Sequence, residues 1–95
     1  MQNLVADPLF TITIAKQAQR SSKKLPEHIK RRIVELLLIL RENPVPAEYY
    51  DVKKLKGLAD SYRIRIGDFR IVYEIVWDKA AVNILYIGPR ESAYS

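Results

Sequence analysis

The sequence has 95 residues, a formal net charge of +5, 48% hydrophobic and 28% charged residues, and no cysteine. This length supports one domain, residues 1–95, and the composition is typical of a globular chain. The absence of cysteine excludes disulfides and thiolate metal sites, and no apolar run approaches the ~20 residues that a membrane-spanning helix needs. We therefore expect a soluble cytoplasmic protein.

The first half of the chain predicts one strand followed by two helices. Residues 10–14 alternate apolar and polar side chains, as in a strand. Residues 15–24 predict a short polar helix that ends before Pro26, because the residue preceding a proline avoids the α conformation. A second helix is predicted from Pro26 to about Glu42, where the sequence NPVP stops it.

The second helix has more apolar surface than one buried stripe requires. Five residues have the spacing of such a stripe: Ile29, Ile33, Leu36, Leu37 and Leu40. Three more widen the apolar surface: Val34, Leu38 and Ile39. A helix covered on two sides within the fold explains this width, and a docking surface for a partner is the alternative.

The stretch YRIRIGDFRIVYEI, residues 62–75, predicts a β-hairpin with a two-residue Gly-Asp turn. The register places Arg65 opposite Arg70 and Arg63 opposite Val72, with the apolar side chains on the other face. Like charges opposed across a ladder destabilise a sheet. They become favourable when a polyanion lies across them.

The chain after the hairpin predicts one more strand, from about Ala81 to Ile87, following a turn near Asp78. The segment between the second helix and the hairpin is predicted to be a loop to about Gly57. The resulting order is β-α-α-β-β-β, which indicates an α+β fold. We expect a mainly antiparallel four-stranded sheet packed against the helix pair, with the arginine face turned to solvent or into a shallow groove.

Positive charge concentrates in two stretches of the chain. Residues 52–73 contain six lysines and arginines against two acidic residues, and residues 15–35 contain seven against two. Both stretches indicate an acidic or polyanionic partner. For the helical stretch, a solvated surface is the alternative.

The chemistry available to the chain is limited. His28 is the only histidine, the three glycines form no phosphate-binding loop, and there is no cysteine, so we expect no metal and no cofactor. An enzyme built from this sequence must work without metal or cofactor and use its cations, with or without a tyrosine. Phosphodiester chemistry permits this, since arginines can hold a scissile phosphate and stabilise its developing charge.

Three segments resemble the RelE family of bacterial and archaeal toxins, within the RelE/ParE superfamily. They are LKGLADSYRIRIGDFRIVYEI, the terminal IGPRESAY and, most similar to archaeal members, PVPAEYYDVKKLKG. The resemblance spans about Thr11 to Tyr94 and implies the β-α-α-β-β-β fold. It also implies that the chain is the toxin of a type II toxin–antitoxin system. Such a toxin is a metal-independent endoribonuclease that cuts mRNA in the ribosomal A site, and a RelB-like antitoxin silences it.

The resemblance implies roles for individual residues. Arg63 and Arg65 match the family's active-site basic pair, Arg70 its phosphate-binding arginine, Arg90 the arginine after the last strand, and Tyr94 the C-terminal tyrosine. The candidate catalytic residues are therefore Arg65, Arg70, Arg90 and Tyr94, with Arg63 as a candidate RNA contact.

Three lysines complete the candidate RNA contacts: Lys53, Lys54 and Lys56. A solvated loop is the alternative interpretation of these lysines.

Two features depart from the family pattern. The paired basic positions are arginines where RelE has lysines, and an arginine, with a pKa of about 12 or higher, hardly ever deprotonates. The tyrosine follows the arginine by four residues instead of six. Two other functions stay open. A ParE-like DNA gyrase inhibitor without nuclease activity would share the hairpin and most of the fold, although the RESAY tail is of the RelE type. A catalytically silent relative that binds RNA or antitoxin is favoured by the missing lysines.

Overall fold

The computed structural model describes residues 9–57 and 60–89. These form five strands and two helices, which follow one another along the chain as β1 Thr11–Ile14, α1 Lys16–Ser22, α2 Glu27–Glu42, β2 Asp51–Lys54, β3 Ser61–Ile66, β4 Phe69–Val76 and β5 Ala81–Pro89. A short 3-10 turn, Trp77–Lys79, joins β4 to β5. Within the described ranges no helix has the length and apolarity to cross a bilayer.

The strands form one sheet in the order β1-β5-β4-β3-β2. All neighbours are antiparallel except β1 and β5, which are parallel. The α+β class is confirmed, but the sheet has five strands and not four. The missed strand is β2, which lies in the segment predicted to be a loop. Its sequence, DVKK, holds a single apolar residue and so has no clear alternation. Short lysine-bearing strands of this kind are common at sheet edges, where charge discourages pairing with another chain.

The apolar side of the hairpin packs against the helices, as predicted. Leu36 and Leu40 of α2 are fully buried and belong to the same core cluster as Ile64 of β3 and Ile71 of β4. The prediction that α2 is covered on two sides is wrong for Val34 and Leu38, which are each 56% exposed. The fold covers one side of the helix and leaves these two apolar side chains on its surface.

Tyr73 joins this core to the loop after α2. Its ring stacks on Tyr62 at a centroid distance of 5.8 Å, and its buried hydroxyl donates a 2.7 Å hydrogen bond to the Pro44 carbonyl oxygen. Burial, and to a smaller extent Tyr62, raises the pKa of Tyr73 well above its ordinary value. The neutral phenol is therefore the form that the folded state favours.

This burial predicts alkaline destabilisation. A raised folded-state pKa gives a stabilisation that is complete below the unfolded tyrosine pKa of about 10 and is lost as the pH rises above it. At neutral pH, Tyr73→Phe should lower the free energy of unfolding by about 1–3 kcal/mol, because the Pro44 carbonyl loses its partner. Denaturant titrations across pH 7–11 should show that the difference in the free energy of unfolding between wild type and variant becomes smaller above pH 10. A difference that stays constant over this pH range would contradict the buried-phenol account.

Candidate functional site

The face of the sheet opposite the helices carries the three arginines of the hairpin. The observed register pairs Arg65 with Arg70 and Arg63 with Val72, which confirms the predicted register. Alternation along β3 and β4 therefore sends the three guanidinium groups to one side of the sheet. We call Arg63, Arg65 and Arg70 the arginine cluster.

The arginine cluster is less exposed than predicted. Arg63 is only 6% and Arg70 only 5% exposed, whereas Arg65 is exposed. Among the described residues, the Arg63 Nε atom has no hydrogen-bond partner. Burial lowers the pKa of Arg63, the neighbouring Asp51 raises it, and Arg65 and Arg70 lower it further. Cations held out of water beside like charges are well placed to bind an incoming anion.

Asp51 is a member of this site that the sequence did not reveal. It lies opposite Arg65 in the β2–β3 ladder, and its two carboxylate oxygens lie 3.3 Å from Arg63 Nη2 and 3.9 Å from Arg65 Nη1. The carboxylate is 58% exposed, so solvent screens these pairs. Asp51 therefore orients the guanidinium groups of Arg63 and Arg65. Because these ion pairs are weak, an incoming anion can compete with Asp51 for the two arginines.

The three predicted lysines are all exposed but do not share one position. Lys53 lies opposite Arg63 in the β2–β3 ladder, so it belongs to the arginine face. Lys54 lies opposite Tyr62 and is directed toward the other face, and Lys56 follows the strand. The structure thus brings one of the three lysines to the arginine cluster.

Two predicted catalytic residues, Arg90 and Tyr94, lie outside the described residues. The only histidine, His28, lies in the first turn of α2 and is exposed. Across residues 9–57 and 60–89, no three histidine or acidic side chains form a group that could hold a metal ion.

Tyr86 of β5 also lies on the arginine face, and sequence reasoning missed it. The ladder pairs Val72 with Tyr86 and Arg70 with Gly88, but it then pairs Tyr73 with Ile84. One extra residue, Leu85, is therefore inserted in β5, forming a β-bulge. Regular alternation from the buried Ile84 would direct Tyr86 toward the core. The bulge directs it to the arginine face instead.

At the other end of this face, the strand residues that the structure describes include polar side chains and no lysine or arginine. The Thr13 hydroxyl donates to the Asn83 side-chain oxygen at 2.6 Å, and the Asn83 amide donates to a Glu74 carboxylate oxygen at 2.9 Å. Positive charge on the outer face is thus concentrated at the end near the hairpin turn.

A second basic surface adjoins that end. A groove of about 610 Å³ runs between α1 and the end of β5, with Phe69 and Pro89 among its apolar lining residues. Three cations of α1 and the turn after it also line the groove: Arg20, Lys23 and Lys24. Three of the seven cations in residues 15–35 therefore line a groove that also includes Gly88 and Pro89 at the end of β5.

Comparison with known proteins gives consistent matches. Residues 12–94 match the sequence profile of the ParE toxin of type II toxin–antitoxin systems, parDE. The putative toxin RelE1 of Methanocaldococcus jannaschii is 40% identical over 90% of this chain and 94% of its own length. The mRNA interferase toxin RelE of Escherichia coli K12 is 28% identical over 80% of this chain and 74% of its own length.

A solved structure supports the same relationship. A chain in the crystal structure of the archaeal RelE–RelB complex from Pyrococcus horikoshii OT3 superposes with a TM-score of 0.80 at 38% identity. The match covers 90% of the present chain and 99% of that chain. The two folds therefore agree over most of this chain and nearly all of that chain.

Proposed function

This chain belongs to the ParE and RelE family of type II toxin–antitoxin toxins, and we propose that it is an endoribonuclease that cuts mRNA in the ribosomal A site. The observation that carries the proposal is the arginine cluster, in which two of three guanidinium groups are nearly buried on one sheet face. The Escherichia coli relative is named an mRNA interferase. Action on translating ribosomes would take place in the cytoplasm.

The proposed reaction is attack of a ribose 2′-hydroxyl oxygen on its adjacent phosphorus. The attack forms a 2′,3′-cyclic phosphate and breaks the bond to the 5′-oxygen of the next nucleotide, which leaves as a hydroxyl after taking a proton from solvent. Arg70, together with Arg90, holds the scissile phosphate and stabilises the charge that develops on it. Arg63 and Arg65 position the RNA backbone, since the planar guanidinium fork matches phosphate oxygens. Burial of Arg63 and Arg70 makes their contacts with phosphate stronger than they would be in water.

The proton of the 2′-hydroxyl has no obvious acceptor in the arginine cluster. Burial lowers the pKa of Arg63, but a guanidinium group is a poor base near neutral pH because arginine hardly ever deprotonates in proteins. We propose that the rate rests mainly on positioning and electrostatic stabilisation, with the proton passing to solvent or to a ribosomal group. Tyr94 is assigned to stacking on a base.

The lysines contribute to RNA and ribosome binding rather than to the reaction. Lys53 extends the arginine face toward the edge of the sheet. Lys54 and Lys56 lie at that edge and suit contacts with ribosomal RNA on the neighbouring surface. Such phosphate contacts make binding strongly salt-dependent.

The partner is proposed to be a RelB-like antitoxin. The two exposed apolar residues of α2, Val34 and Leu38, offer a surface for its apolar side chains, and the arginine cluster suits its acidic ones. We expect the product of an adjacent antitoxin gene to co-purify with the toxin. Leu38→Asp should weaken the complex at least tenfold, because it places a charge in an apolar contact.

Titration calorimetry at two salt concentrations checks this prediction. Raising the salt from 0.1 M to 1 M should weaken the wild-type complex as well, because charge pairs over the arginine cluster are screened. Glu35→Gln is the control on the same helix, at an exposed polar position. A complex that tolerates both Leu38→Asp and high salt would contradict this mode of binding.

Mapping of 5′ ends in cells expressing the protein tests the proposed function. New transcript ends at a fixed position within codons are expected, and they should vanish when translation initiation is blocked. The match to the ParE profile favours a second candidate function, inhibition of DNA gyrase by binding. That function would produce DNA breaks and no codon-phased ends.

A further inference from the structure

We propose that the ring of Tyr86 is a stacking platform for a nucleobase of the bound message, next to the phosphate held by Arg70. This inference rests on the proposed function and adds a residue that the family resemblance did not assign. Three features of the sheet support it: the bulge at Leu85, the absence of a side chain at Gly88, and the position of Tyr86 diagonal to Arg70.

The bulge gives Tyr86 its direction. Ile84 and Ile87 are both buried toward the helices, although three positions separate them and a regular strand would send them to opposite faces. The extra residue restores Ile87 to the core and places Tyr86 on the face of Arg70. Bulges are common next to active sites, where they redirect a side chain.

Gly88 gives the ring its place. A Cβ atom built on Gly88 would collide with the Tyr86 hydroxyl oxygen, and it would lie 2.7 Å from Cζ and 3.2 Å from Cε2. The hydroxyl end of the ring therefore occupies the space that a side chain at position 88 would need, and the hydroxyl oxygen is 3.4 Å from the Pro89 carbonyl oxygen. Since Gly88 is the ladder partner of Arg70, the tyrosine leans toward that arginine.

This arrangement suits a nucleotide. Diagonal neighbours on one sheet face are ~7–8 Å apart, which long and aromatic side chains bridge. In RNA the base is joined to the same ribose that carries the phosphate, so a ring beside the phosphate-binding arginine meets the adjacent base. Single-stranded RNA is commonly recognised by stacking of unpaired bases on aromatic rings.

A purely structural role for Tyr86 is the alternative. Val72 lies on the same face between Arg63 and Tyr86 and is fully buried. In the alternative, the Tyr86 ring shields Val72 from solvent and has no contact with RNA. Leucine at position 86 would still cover Val72 but offers no ring for a base. Tyr86→Leu therefore separates the two roles. Tyr86→Phe retains the aromatic ring, so it should preserve both the cover over Val72 and the stacking surface.

The test is a cycle of protein and message variants on programmed ribosomes. Tyr86→Leu should lower kcat/KM for cleavage roughly 5- to 150-fold, the range for loss of one stacked base. An abasic nucleotide, placed in turn at each A-site codon position, should give the wild type a similar loss at one position. At that position the two losses should not multiply, because both remove the same contact. Tyr86→Phe should lose less than threefold.

Two further variants test the position of the ring and the specificity of the effect. Gly88→Ala should displace the ring and reduce cleavage, and it should add little to Tyr86→Leu. Tyr49→Leu is the control, since Tyr49 is 74% exposed in the loop before β2. Thermal unfolding and antitoxin binding of each variant show that it folds.

Each outcome discriminates. Losses that multiply at every codon position, or full cleavage by Tyr86→Leu, would overturn the stacking role while leaving the nuclease in place. A wild-type protein that cuts no message on ribosomes would overturn the proposed function, and the stacking inference with it.

Discussion

Arg70→Ala is expected to reduce cleavage of ribosome-bound message by about 10²–10³-fold, the usual cost of removing one group that stabilises transition-state charge. The reason is the position of Arg70: it lies opposite Arg65 on the arginine face and is only 5% exposed. A guanidinium held out of water acts on phosphate charge with little screening. Single-turnover cleavage on programmed ribosomes measures the effect on the chemical step.

A control is needed because Arg70 is nearly buried. Arg41→Ala removes an exposed arginine from the last turn of α2, far along the chain from the hairpin, and should cut at close to the wild-type rate. Arg70→Lys, which retains the charge but not the fork, should recover part of the activity. Equal cleavage by wild type and a folded Arg70→Ala protein would remove Arg70 from the site.

Leu36→Ala is expected to lower the free energy of unfolding by about 2–5 kcal/mol. Leu36 is fully buried in the core between α2 and the sheet, and truncation leaves a cavity there. A typical domain has only about 5–15 kcal/mol of stability. The loss is therefore a large share of the total, and chemical denaturation at 25 °C measures it.

The matched control lies two residues further along the same helix. Leu38→Ala makes the same chemical change at a position that is 56% exposed, so it should cost less than about 1 kcal/mol. If both variants lost the same stability, the assignment of the buried and exposed sides of α2 would be wrong. The comparison also isolates the surface proposed for the antitoxin, because Leu38→Ala should weaken that complex while leaving the fold intact.

The hairpin was predictable because its signals are local. The Gly-Asp turn and the alternation on either side determine the β3–β4 register, and they placed all three arginines on one face. The core stripe of α2 was equally clear from its spacing. In both cases residues close in the sequence carry the information.

The features that sequence reasoning missed depend on distant partners. The strand β2 exists because its backbone pairs with β3, and this pairing brings Asp51 to Arg63 and Arg65. The bulge at Leu85 is a property of the β4–β5 ladder, and without it Tyr86 would be assigned to the core. Burial of Arg63 was also unexpected, since exposure depends on how neighbouring strands cover the face.

We propose above that this arginine face cuts mRNA inside the ribosome. The most direct test of this proposal is incubation of the purified protein with ribosomes stalled on an end-labelled message of known A-site codon, with the same message free in solution beside it. The account predicts one new end within the A-site codon, formed only when the ribosome is present. An intact message on the ribosome, or equal cutting of free and ribosome-bound RNA, would contradict it.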